Sequence, residues 1–372
     1  MFRTAYKNLA LSAALIFGIS SIAISQTATP TPKPKVDDEI IKVDSRLVVV
    51  PVSVTDATGQ AVTGLTAQDF RISEEGRNQT IESLGNADVV PLEIALLFDV
   101  SASTDPMFRF EQETAAKFLR DVMRPIDRAT IFTIGQKPVL AQGRQTAENA
   151  IAGVMRISIT KDATAFFDTV RVAADYLRAN SPEGRRRVIV VISDGEDNFS
   201  EGVQRAQRNA ERKLVDQGPD PGLKKFGKLV VLAQQTAKNE ERSRVLRALQ
   251  DADIVHYSVN PAGSSYLLNT ISVFGQENMQ KFADETGGTA FLPKFQPIDT
   301  KDRYLNANNT RKNTQLLDQI FRQLANELRS QYLIQYYSES DFPLNKFVKL
   351  DVGLPNRIGL RIRSRQGYYV KN

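Results

Sequence analysis

Two short segments carry residue types from which a site can be built. In Ala95-Leu-Leu-Phe-Asp99-Val-Ser101-Ala-Ser103, an acid and two hydroxyls recur at every second position. In Val190-Val-Ile-Ser-Asp194-Gly195, a second acid comes after another apolar run, and a glycine lets the chain leave sharply. Two carboxylates and two hydroxyls, with no sulfur or imidazole among them, form a hard oxygen donor set. Such sets suit magnesium, manganese or calcium. One or two carboxylates completed by water is the usual magnesium arrangement.

Composition removes the main alternatives. The 372 residues contain one histidine, His256, and no cysteine. A histidine-based triad, a multi-histidine metal centre, thiol catalysis, sulfur-ligated zinc and disulfides are therefore excluded within one chain. The formal net charge is +5, and Arg3 and Lys7 supply two of those charges. That is too mild for a nucleic-acid binder, and the only dense basic run is Arg185-Arg-Arg187. Hydrophobic residues at 41% and charged residues at 24% are ordinary for a globular chain, which argues against disorder along the whole length.

The elements that must position the acids are legible as apolar runs. Residues 92–98 are apolar except for Glu93, and residues 188–192 are five consecutive β-branched residues. Residues 130–134 and 254–259 read as further strands. Helical stripes lie between them: Ala115, Phe118, Leu119 and Val122, then Phe166, Val170, Ala173 and Leu177. A helix over 276–286 stops at Gly287-Gly288, and the last long helix carries Leu317, Ile320, Phe321, Leu324 and Leu328. Strands of unbroken Val and Ile are buried on both faces, so the expected fold over 90–340 is α/β, a doubly wound, mostly parallel sheet covered by helices. Ligands in such sheets sit beyond the carboxyl ends of the strands. A polar, helix-prone stretch over 201–247, broken by Gly218-Pro-Asp-Pro-Gly222, reads as an insertion.

The flanks are all-β. In 43–88, Val48, Val50, Val52 and Val54 alternate along one strand, and 70–74 and 80–84 read as two more, joined by Glu75-Gly76-Arg77-Asn78. In 343–372, Val348, Leu350, Val352 and Leu354 alternate with polar residues, as do Ile358, Leu360 and Ile362. Neither flank can bury enough surface alone. They are expected to pair into one small antiparallel β-sandwich beside the α/β domain. Ahead of them, Arg3 and Lys7, an apolar run over 9–24 and the ending Ala23-Ile24-Ser25 have the layout of a signal peptide over 1–25. Residues 26–42, with Thr27-Ala-Thr-Pro-Thr-Pro-Lys-Pro-Lys35, form an extended spacer. An exported protein is expected, periplasmic, cell-surface or extracellular, with no integral membrane span after cleavage.

Asp99-x-Ser101-x-Ser103, with Asp194-Gly195 after a later apolar strand, resembles the metal-ion-dependent adhesion site of von Willebrand factor type A domains. The resemblance covers about 91–337 and includes Thr286-Gly287-Gly288 in the same order. It implies a metal at the carboxyl edge of the sheet, held by Asp99, Ser101, Ser103, Asp194 and a threonine from a third loop, here Thr164. The family often has glycine before that threonine, where this chain has Ala163. Val52-Ser-Val-Thr-Asp56-Ala-Thr-Gly59, Leu65-Thr-Ala-Gln-Asp69-Phe70 and the ending Arg363-Ser-Arg365-Gln-Gly367-Tyr368-Tyr369 are similar to an exported bacterial subgroup, the "VWFA-related" proteins. Together these imply a non-enzymatic binding module. Its Mg2+ (or Mn2+ or Ca2+) would keep one position open for an Asp or Glu of a protein partner. Oligomeric state is not readable from the sequence.

Other readings of the same residues stand beside this one. Ser101 and Ser103 also suit a helix cap. A metal-dependent phosphohydrolase would put a second acid where Ser101 stands and needs a strand-end lysine that the chain lacks. A scaffold with a silent metal site is the third reading. Asp105, Glu196 and Asp197 are expected as solvated rim residues, with Glu196 and Asp197 alternatively raising cation affinity. His256 is expected as a packing residue. Thr286-Gly-Gly-Thr289 reads as a helix stop rather than a phosphate loop, since the required lysine is missing.

Overall fold

The computed structural model describes residues 46–101, 108–160, 163–216, 223–261, 270–298 and 300–371. The expected signal peptide and spacer, Ser103, Asp105 and Asp162 lie outside these residues.

The chain enters through β1 (Arg46–Thr55), whose Val48, Val50, Val52 and Val54 are buried while Leu47 and Val49 are exposed. This is the period-two burial that the alternation demands. β2 (Arg71–Glu74) and β3 (Arg77–Gln79) form a hairpin around Glu75 and Gly76, whose φ angles of 48° and 79° suit a two-residue turn. β4 (Ser83–Asn86) comes next. The single strand expected over 80–84 is therefore not found. Only Ser83 and Leu84 of it are in a strand, β4, which joins another sheet, while Arg77–Gln79, expected within the joining turn, form β3 and pair with β2.

The middle of the chain alternates strand and helix. It runs β5 (Leu92–Asp99), α1 (Phe108–Val122), β6 (Arg128–Ile134), β7 (Val139–Gln145), α2 (Ala147–Met155), α3 (Phe166–Asn180) and β8 (Arg186–Ile192). Then come α4 (Glu201–Asp216), α5 (Leu223–Asp251), β9 (Ile254–Val259), α6 (Thr270–Thr286), β10 (Ala290–Phe291) and α7 (Arg303–Ser330). The sheet order is β10-β9-β8-β5-β6-β7, parallel throughout except for β7 at one edge. Every residue of β5 is buried. Its Leu92, Ile94, Leu96 and Phe98 pack under α1, α2 and α7, and its Ala95 and Leu97 under α3, α5 and α6. The fold is thus a doubly wound α/β sheet. From β5 the chain moves outward to β6, then returns to place β8 on the opposite side of β5. The loops leaving β5 and β8 diverge there and open a crevice at the carboxyl edge.

The stretch expected as an insertion is only partly one. Ala237, Val245 and Leu249 in the second half of α5 are buried, and the last two pack on the sheet face. That half is the crossover helix that parallel β8 and β9 require. α4 and the first half of α5 lie ahead of it.

Four more strands close the chain: β11 (Tyr332–Ser338), β12 (Phe347–Gly353), β13 (Arg361–Ser364) and β14 (Gly367–Tyr369). They join the N-terminal strands in two four-stranded sheets, ordered β13-β1-β11-β4 and β14-β12-β2-β3. The α/β part ends with α7 at Ser330, because Tyr332, Ile334 and Tyr336 of β11 face the sandwich core beside Val48, Val50 and Ile72. Glu74 is buried in that core, and its carboxylate accepts hydrogen bonds from Tyr336 Oη (2.9 Å), Ser338 Oγ (2.8 Å) and Tyr368 Oη (2.5 Å). Among the described residues no helix is long and apolar enough to cross a membrane.

Candidate functional site

β5 ends on Asp99 and β8 ends one residue before Ser193, and the two strands are hydrogen-bonded neighbours. The sheet therefore delivers both sequence motifs to one place. Asp99 is fully buried. Its Oδ1 accepts the Ser101 amide at 2.9 Å, which folds the β5 loop back on the acid. Its Oδ2 accepts the Ser193 hydroxyl at 2.6 Å. Ser193 Oγ in turn accepts the Gly195 amide at 3.1 Å. One buried hydroxyl thus ties the end of β5 to the loop that carries Asp194. Asp194 is half-buried, and its Oδ1 accepts the Glu196 amide at 3.0 Å.

Gly195 is needed here on two counts. Its φ is +76°, and a Cβ would stand 2.4 Å from the Gly275 carbonyl oxygen of α6. Only a residue without a side chain lets the loop lie this close to the helix.

Thr164 comes from the third loop, ahead of α3, and is buried. The β8 loop holds it in place: its amide donates to Asn198 Oδ1 at 2.7 Å, and its carbonyl accepts the Asn198 and Phe199 amides at 3.0 Å each. The next amide, of Ala165, donates to the Gly135 carbonyl beyond β6 at 2.8 Å. Asp99, Ser101 and Asp194 therefore lie where the adjacent strands β5 and β8 end, and Thr164, on the loop between α2 and α3, is tied to the same edge by the β8 loop. Ser103 falls outside the described residues.

The rim acids differ from expectation. Asp197 is fully buried, not solvated. It accepts the Phe167 amide at 2.9 Å and the Ser200 amide at 3.2 Å, together with the Ser200 hydroxyl. It closes the first turn of α3, where amides lack partners within the helix, so its charge is committed to structure. Glu196 is half-buried and accepts the Ser272 hydroxyl of α6.

Two residues with no place in the sequence motifs belong to the neighbourhood. Ser193 is one. The other is Glu111 of α1, which is buried and whose Oε2 has no hydrogen-bond partner among the described residues. Burial, and after it the negative charges of Asp99 and Asp194, pushes the Glu111 carboxyl up to about 8. Burial also raises the Asp99 carboxyl, against the hydrogen bonds from Ser193 and Ser101. Among the described residues no lysine, arginine or histidine forms an ion pair with Asp99 or Glu111. Among the described residues Asp99 and Glu111 are thus buried acids without a protein cation beside them, which favours their protonated forms and which a bound cation would relieve. Among the described residues no three acids or imidazoles group closely enough to cage a metal, so a cation here depends on hydroxyl and water oxygens as well as carboxylates. The donors that are present fit a hard divalent ion.

His256 is fully buried in β9 with its ring 5.5 Å from that of Phe282. Neither ring nitrogen has a partner among the described residues, and burial lowers its pKa to about 3. It is a neutral packing residue.

No protein-family model matches the chain, and no curated protein matches it. Solved structures do. An aerotolerance-related membrane protein from Bacteroides fragilis aligns at 17% identity over 61% of this chain and 99% of its own, with a TM-score of 0.33. Proximal thread matrix protein 1 from the mussel byssus, solved with zinc in its MIDAS motif, aligns at 9% identity over 69% of this chain and 50% of its own, with a TM-score of 0.40. A mutant of the PilB minor pilin from Streptococcus sanguinis aligns at 11% identity over 63% of each chain, with a TM-score of 0.39. The strand order of the central sheet, rather than these distant likenesses, assigns the fold.

Proposed function

We propose that the doubly wound central domain is of the von Willebrand factor type A kind, and that the chain is an exported, non-enzymatic binding module whose sheet edge holds a divalent cation. Asp99, Ser101, Ser103, Thr164 and Asp194 are its ligands, directly or through water, and the ion is Mg2+, with Mn2+ or Ca2+ able to replace it. The signal peptide over 1–25 directs export and is removed, and the Pro/Thr-rich spacer over 26–42 follows it. The carrying observation is the Asp99–Ser193 hydrogen bond at 2.6 Å. It brings the two acid-bearing strand ends together around a buried carboxylate that no lysine, arginine or histidine among the described residues neutralises.

The bound ion supplies electrophilic attraction for an anionic group. The chain's own residues set how strong that attraction is. With one carboxylate bound directly and the other through water, the direct ligands would leave part of a dication's charge uncompensated, and neutral hydroxyl donors would add no negative charge. Ser193 and the Ser101 amide fix Asp99 so that it cannot swing away. An aspartate or glutamate side chain of a protein partner completes the ion, and no covalent bond is made or broken. The reading rests on this donor set of carboxylate and hydroxyl oxygens.

Thermal unfolding of the full chain in EDTA, then with Mg2+, Mn2+ or Ca2+, tests the site. A ligand that binds only the folded state must raise its midpoint. The wild type is expected to gain stability with at least one ion and Asp99→Ala to gain none while still folding. Equal ion responses in the two proteins would remove the assignment.

A further inference from the structure

The basic run Arg185-Arg-Arg187 has no role at the carboxyl edge, because it opens β8 at the opposite end of the strand. There it lines a cavity of about 120 Å³ between the α/β sheet and the sandwich. Val49 and Pro51 of β1 and Arg365, between β13 and β14, form the other wall. A cavity of this size admits a guest as large as benzene or a tetrahedral oxyanion.

The charges around it do not balance. Arg185 is paired with Glu93 at 2.5 Å, and that acid is shared with Arg144 at 2.6 Å. Arg365 is paired with Asp253 at 2.7 Å, and that acid is shared with Lys371 at 2.5 Å. Arg187 has no carboxylate partner among the described residues; its hydrogen bond goes to the Ala252 carbonyl at 3.0 Å. Arg186 is buried and donates only to carbonyl and amide oxygens. Asp253 is the single acid in the cavity lining, against four arginines. The Nε atoms of Arg187 and Arg365 are both buried, and neither has an acceptor among the described residues. Charged donors left without acceptors away from water are costly, and guanidinium groups match oxyanions geometrically.

We infer that this cavity is a binding site for a small tetrahedral oxyanion of the phosphate or sulfate class, held between Arg187 of β8 and Arg365 of the sandwich. The size excludes a nucleotide. The apolar Val49, Val188 and Val255 in the lining exclude a hydrated metal. Since the two arginines belong to different layers, the bound anion fastens the sandwich to the sheet. This inference is independent of the cation site, which lies at the other end of β8.

Calorimetric titration of inorganic phosphate into the full chain, in EDTA and at constant ionic strength against chloride, tests it. Saturable one-to-one binding is expected, with the dissociation constant at least tenfold weaker in Arg187→Gln and in Arg365→Gln and unchanged in Asp99→Ala. Sulfate should compete with phosphate and acetate should not. Arg187→Gln is the variant that preserves the fold, because it gives up one carbonyl hydrogen bond and no ion pair; a thermal scan checks this. Absence of saturable binding, equal affinity in wild type and Arg187→Gln, or acetate binding as tightly as phosphate would each overturn the assignment.

Discussion

At the residue scale, Asp99 and Asp194 are legible because each closes an apolar run. The hydroxyls at 101 and 103 mark the first loop, and Gly195 marks the second. Ser193 is not legible, because a serine at the end of a Val/Ile strand carries no signal of the acid it will meet on the neighbouring strand. Glu111 does carry a signal. It falls on the same helical stripe as Ala115, Phe118 and Val122, so periodicity alone buries it. Its titration gives a prediction. The folded-state value near 8 lies above the ordinary 4.5, so the folded state holds this proton more tightly than the unfolded chain does. Stability is unaffected below the unfolded value and is lost as pH rises from about 4.5 to about 8. Glu111→Gln removes a buried charge and hence this loss. In EDTA the variant should be more stable than wild type at about pH 8, and the advantage should shrink at about pH 5. Urea midpoints at the two pH values measure it, and a pH-independent difference would contradict the assignment of the shift to Glu111.

At the element scale, the buried strands β5, β8 and β9 and the helices α1, α3 and α7 are readable from apolar runs and stripes. The elements that resist such a reading are short or half-exposed. In β7 the consecutive Val139 and Leu140 are both exposed, so its pattern never alternates cleanly, and β10 is two residues long. The α4–α5 region reads as an insertion because its charges mask the few buried positions of the crossover helix. The site depends on one close approach between elements, Gly195 against Gly275 of α6. Gly195→Ala places a Cβ 2.4 Å from a backbone oxygen at a φ of +76°. The expected cost is about 1–3 kcal/mol, with displacement of the Asp194 loop. Denaturant unfolding should show the lower stability, and the Mg2+-dependent rise in midpoint should weaken in the same variant. A wild-type midpoint with an intact ion response would show that α6 yields freely and does not brace the loop.

At the scale of the molecule, the pairing of the two chain ends is predictable from size alone: neither β flank could be stable by itself, and their strands alternate in compatible fashion. The junction between sandwich and sheet is not predictable, because it is built from polar residues scattered along the chain. Arg186 at the start of β8 donates to the Leu328 carbonyl at 3.0 Å, the Ala87 carbonyl at 3.2 Å and the Gln331 side chain. Gln331 passes the connection on, donating to Ser53 of β1 and Tyr257 of β9 at 3.0 Å each. Beside it Asp127, fully buried, accepts the Leu92 amide at 2.8 Å and the Arg124 amide at 2.7 Å and pairs with Arg329 at the end of α7. Because the Arg186–Ala87 and Gln331–Ser53 bonds cross from the sheet to the sandwich, the two parts should unfold together. Arg186→Met keeps much of the side-chain volume but leaves the Leu328 and Ala87 carbonyls without their donor. Each orphaned acceptor costs about 1–3 kcal/mol. Scanning calorimetry should show one transition for the wild type and, for Arg186→Met, a lowered midpoint with the sandwich melting ahead of the sheet. A single transition at the wild-type midpoint would mean that apolar packing alone couples the parts, and that the polar junction contributes nothing to cooperativity.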